Sequence, residues 1–144
     1  MRIALVLVVL SMLAGCAAFM TYGTGADFRH AAAAAKDKKY NEAVAIYNKI
    51  AVQAPQSEAA PEALFQAAYL EALYDNPQRD YAKALQGFDE FIKLYPDHGK
   101  LQEAENWRFI LRTILDLKKE NDHLKRNIEQ LKKLDIRHEE RRGR

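Results

Sequence analysis

A stretch of this chain occurs twice. Tyr40 to Pro55, YNEAVAIYNKIAVQAP, returns as Tyr81 to Pro96, YAKALQGFDEFIKLYP. One offset, 41, relates Tyr40 to Tyr81, Ala43 to Ala84, Tyr47 to Phe88 and Pro55 to Pro96. A fixed recurrence of large, small, large and terminating residues marks a supersecondary unit used more than once, because one copy cannot bury its own apolar face. Within each copy the spacing is helical: Ala43 is followed by Ile46, Tyr47 and Ile50, and Ala84 by Leu85, Phe88, Phe91 and Ile92. The small alanines let a neighbouring helix approach closely, the aromatics fill the space beside that contact, and the prolines stop each helix.

These positions resemble the tetratricopeptide repeat. That family marks its second helix with an aromatic, an alanine three residues on, an aromatic four after that and a closing proline eight later. Tyr40, Ala43, Tyr47 and Pro55 fill those places, as do Tyr81, Ala84, Phe88 and Pro96. The tryptophan and glycine expected of the first helices are missing. The resemblance implies an all-α fold of antiparallel helix hairpins, and a repeat-packing role for those eight residues. The family's unit is about 34 residues, so an offset of 41 predicts a stretched second unit, with the surplus in the turn Asp75 to Asp80, DNPQRD. An ordinary pair of helical hairpins is the alternative.

The amino terminus reads as a secretory signal over residues 1–15: Arg2, an unbroken apolar run from Ile3 to Leu10, then small residues, too short to span a bilayer. Leu13-Ala14-Gly15-Cys16 resembles the lipobox of bacterial lipoproteins. That resemblance implies a diacylglycerol thioether on Cys16 and further acylation (palmitate) of its amine. Ala17 and Ala18 follow where the family's inner-membrane forms carry aspartate, which implies the periplasmic face of a Gram-negative outer membrane. Two or three acyl chains anchor stably where one does not. Cys16 is the chain's only cysteine, so no internal disulfide is possible.

Residues 16–25 read as the lipidated start and a linker that reaches at most about 30 Å. Phe19, Met20 and Tyr22 either rest on lipid headgroups or pack on the first helix. A repeat domain with a capping helix is expected over 26–117, and a helical extension with a basic tail over 118–144. The alanine-rich Asp27 to Asp37 and the stretch Ser57 to Tyr74 supply the first helices of the two units. Tyr69, Tyr74, Tyr81, Phe88 and Phe91 are expected in the core. The few glycines are expected to mark linkers.

A last helix is predicted from near Lys100 to Gly143. Its apolar positions form a heptad, Trp107, Ile114, Asn121 and Ile128 at one site and Ile110, Leu117, Leu124 and Leu131 at the other. The beginning, which also carries Phe109, Leu111 and Leu115, is wide enough to cap unit two. Beyond Leu117 only a narrow seam remains, so the segment either pairs as a coiled-coil homodimer or stands as a solvated single helix. Lys118 to Arg144 holds ten Lys and Arg against six Asp and Glu, a net of +4, while Cys16 to Leu117 carries −3. The tail suits an acidic partner or anionic lipid. As a nucleic-acid patch it lacks interleaved aromatics.

His30, His98, His123 and His138 show no metal-ligand spacing, and no phosphate loop or nucleophile elbow appears. The expectation is a non-enzymatic, cofactor-free, membrane-anchored interaction scaffold for envelope proteins. Lipobox and repeats together resemble BamD-like barrel-assembly lipoproteins and CpoB-like envelope coordinators. Size and layout are similar to QseG-like lipoproteins, which would make a sensor kinase the partner. A self-associating spacer built on the heptad seam is a third reading.

Overall fold

Proline placement and the 41-residue offset set where the helices stop. In the computed structural model, which describes residues 24–143, helix α1 covers 24–36 and is followed by α2 (Tyr40–Gln53), α3 (Ala59–Ala72), α4 (Tyr81–Leu94) and α5 (Leu101–Arg142). No strand occurs among the described residues. Successive helices from α2 onward pack against each other, giving tetratricopeptide-like antiparallel hairpins closed by a long carboxy-terminal helix. Thr24 and Gly25, expected in the linker, are the first described residues of α1.

The repeat extends into the turns. Ala54 and Tyr95, each preceding a proline, adopt nearly the same conformation (φ −133, ψ 56 and φ −130, ψ 57) and donate to the carbonyls of Ile50 and Phe91. Their own carbonyls accept from the backbone N–H of Ser57 and His98, at 2.9 and 3.1 Å. A residue before proline is pushed out of the α region, so the same chemistry ends both helices alike.

The α1–α2 turn is a three-residue closure. Lys39 N–H donates to Ala34 O at 2.8 Å and Lys38 N–H to Ala35 O at 3.0 Å, with Lys38 at φ 60, the left-handed position usually held by glycine. The α3–α4 connection, 73–80, has eight residues, and the surplus of the second unit lies here. It is tied down. Asn76 is buried; its Nδ2 donates to Leu70 O at 2.8 Å and its Oδ1 accepts from Gln78 N–H at 2.9 Å. Asp80 then caps α4 by accepting from the N–H groups of Ala82 and Lys83.

The core has two clusters, and α3 feeds both. Ala63, Ala67 and Leu70 join Ala31, Ala34, Tyr40, Ala43, Val44, Tyr47 and Ile50. Leu64, Phe65, Ala68 and Ala72 join Ala84, Phe88, Phe91, Ala104 and Leu111. The helix is therefore apolar nearly all round, as a central helix must be. Tyr74, expected in the core, is 83% exposed. Leu73 is already extended (ψ 131), so the chain has left the helix before Tyr74 can turn inward.

Gly87 corrects the expectation that glycines mark linkers. It lies within α4, and a Cβ there would come 2.8 Å from Ala68 Cβ of α3. Close backbone approach is what glycine permits.

Candidate interaction site

Both copies of the repeat place their small residue at a crowded crossing. Ala43 and Ala84 are fully buried, Tyr47 and Phe88 are buried beside them, and Tyr40 is buried while Tyr81 is half-buried. Pro55 and Pro96 are exposed at the helix ends. Phe28 meets Tyr47 edge-on at 5.1 Å in the first cluster, and Phe65 does the same to Phe88 and Phe91 in the second. Apart from the exposed prolines, these residues pack within or against the two core clusters.

The stacking leaves a groove between α2 and α4, floored by α3. Asn48 of α2, Leu64, Ala67, Ala68 and Glu71 of α3, and Lys83, Gln86, Gly87 and Glu90 of α4 line it. Its volume is about 220 Å³, below the 300–1,000 Å³ or so of ordinary small-molecule pockets. The size suits one or two side chains of a docked peptide or helix. Partial burial raises the Glu71 carboxyl above its ordinary pKa, with Lys83 opposing and Asp80 reinforcing the shift. Two acids and one lysine on the rim favour a ligand with basic or hydrogen-bonding groups. Sequence reading missed this groove, although a lone glycine inside a helical pattern is a signal of close packing.

The second surface is on α5. Trp107, the first heptad position, is turned into the body, stacked on Phe88 with planes 5° apart and edge-on to Tyr69. Ala104 and Leu111 are buried with it, and Arg112 pairs with Asp89 of α4 at 3.3 Å. At the start of α5, Lys100 pairs with Glu62 at 2.7 Å and lies 4.5 Å over the Phe65 ring. Phe109, expected in the capping face, is 72% exposed because it lies on the opposite side of the helix from Leu111. Ile114 is half-buried; Ile110, Leu117, Asn121, Leu124, Ile128 and Leu131 are exposed. The structure thus separates Trp107 from the rest of the seam.

Cys16 and the lipobox residues Leu13, Ala14 and Gly15 lie outside the described residues. Among the described residues, no helix is long and apolar enough to cross a membrane, and no cluster of three or more His, Cys, Asp or Glu could hold a metal ion.

The family model described as an outer membrane lipoprotein, YfiO, matches residues 25–139. No curated protein matches the chain. The family match runs through all five helices and covers well over half of the 144 residues. The chain therefore belongs to the YfiO family of outer membrane lipoproteins, which places it at the outer membrane.

Proposed function

We propose that the protein is a non-catalytic scaffold held on the periplasmic face of the outer membrane by acyl chains on Cys16, and that its repeats take part in assembling outer-membrane proteins. The observation that carries this reading is the family match extending through both hairpins and the capping helix, and so through α2, α3 and α4, which line the groove. With α1 described from residue 24 onward, the chain after Cys16 gives the body at most about 30 Å of reach from the bilayer. A partner is therefore met at the membrane surface. The groove takes a short segment of that partner, since stacked helix pairs present such surfaces to peptides and helices.

Crosslinking the acylated full chain in intact envelopes, followed by solubilisation and mass spectrometry, tests the proposal. Components of the barrel-assembly machinery are the expected captures. A sensor kinase in their place shifts the assignment to an accessory lipoprotein of envelope signalling. Recovery of neither overturns both.

A further inference from the structure

Along the distal part of α5, apolar side chains face outward and, among the described residues, join neither core cluster. Leu117, Leu124, Ile128 and Leu131 keep between 51% and 64% of their surface. Their spacings are seven, four and three residues, with Asn121 dividing the first gap into four and three. At 100° per residue this stripe lies about 140° round the helix from Ala104 and Leu111, the residues covered by α4. The body therefore leaves the stripe free to meet another helix, and the period of seven wants one that supercoils with it.

The flanking charges choose that helix and its direction. One flank of the stripe carries Lys118, Lys125 and Lys132, and the other carries Thr113, Glu120 and Asn127. In an antiparallel pair of copies like flanks meet, setting lysines against lysines. In a parallel pair unlike flanks meet, so Lys125 of each copy faces Glu120 of the other, while Lys118 and Lys132 face neutral Thr113 and Asn127. Asn121 then faces its own counterpart at the seam, a pairing that fixes register at some cost in stability. The seam closes at Asp135, the next core position after Leu131.

We propose that residues 110–134 of α5 form the interface of a parallel homodimer, with Trp107 excluded because it serves the core of its own chain. A shared lipid tether would hold two copies in this orientation, and that clause alone rests on the acylated scaffold proposed above; the charge pattern stands without it.

Oxidative crosslinking of the full-length chain in membranes tests the pairing. Leu117→Cys and Leu131→Cys are each expected to crosslink to themselves, because identical seam positions face each other in a parallel pair. Arg126→Cys, on the opposite side of the helix, and the unsubstituted chain are expected to give no dimer. Glu120→Lys is expected to reduce both self-crosslinks and Glu120→Lys with Lys125→Glu to restore them. Helix content is followed by circular dichroism throughout. Crosslinking only between co-expressed Leu117→Cys and Ile128→Cys chains, which stand at unlike core sites, would show an antiparallel pair and overturn the proposal. An absence of self-crosslinks, as for a single helix or one occupied by a different protein, would also overturn it. Crosslinking reads the helix pair whether or not a further partner is bound, so failure of the scaffold reading leaves this result separate.

Discussion

Tyr40, the first marker of the repeat, also makes a hydrogen bond across 35 residues of chain. Its hydroxyl donates to Asp75 Oδ2 at 2.7 Å, and Lys38 approaches the same oxygen at 3.3 Å. That hydrogen bond, with burial and the neighbouring negative charge, keeps the phenol neutral and pushes its pKa from 10.0 up to about 12. A folded-state pKa raised in this way leaves the contribution intact below pH 10, and it is lost as pH rises from about 10 to about 12. Tyr47 and Tyr95, raised chiefly by burial, share the alkaline loss. At the acid end the Tyr40 hydrogen bond, and then Lys38, hold Asp75 below its ordinary 3.8 despite some desolvation. A depressed carboxylate contributes stability above its ordinary value, and this fades as pH falls through the folded value. Tyr40→Phe is therefore expected to lower the denaturant midpoint at pH 7 and to flatten the decline at both extremes. Urea midpoints across the pH range measure this. A variant that keeps the full alkaline and acid slopes would show that the bond does not bind the two turns.

Among the elements, α3 and α4 cross closely where Gly87 meets Ala68. In an open helix Gly87→Ala would gain up to about 1 kcal/mol of helix propensity. Here the added methyl would lie 2.8 Å from Ala68 Cβ, and overpacking of this kind costs about 1–3 kcal/mol. The expected outcome is a net loss of about 1 kcal/mol by chemical unfolding, and a rise in stability would mean that the two helices part freely. The sequence showed α2 and α4 clearly, because the offset of 41 carries both the apolar spacing and the prolines that end each helix. The middle of the molecule was less legible. Alpha3 serves two clusters and so has no single stripe, and Tyr74 looked like a continuation of it only because nothing in its side chain announces that Leu73 is already extended. On α5 the face that packs on the body and the heptad seam lie about 140° apart, and Trp107 belongs to either pattern. Three-dimensional packing on Phe88 and Tyr69 decided it. The groove was hidden for a similar reason, being assembled from three helices whose lining residues share no local motif.

Over the whole molecule, the packed body and the projecting helix have different tasks. The body buries both repeat copies and presents the groove, while α5, 42 residues long, extends for about 60 Å at 1.5 Å per residue. Its outer part, Lys118 to Arg144, has a net charge of +4, against an acidic body. This division suits a lipoprotein whose body stays near the bilayer and whose last helix reaches along or away from it. The central claim is that the repeats hold a protein partner in the groove between α2 and α4. The most direct measurement is site-specific photocrosslinking in living cells from Gln86, which lines the groove and is exposed, compared with Ala33, exposed on α1 away from it. The account predicts an adduct with another envelope protein from Gln86 and none from Ala33; no adduct from Gln86, or the same adducts from both positions, would contradict it.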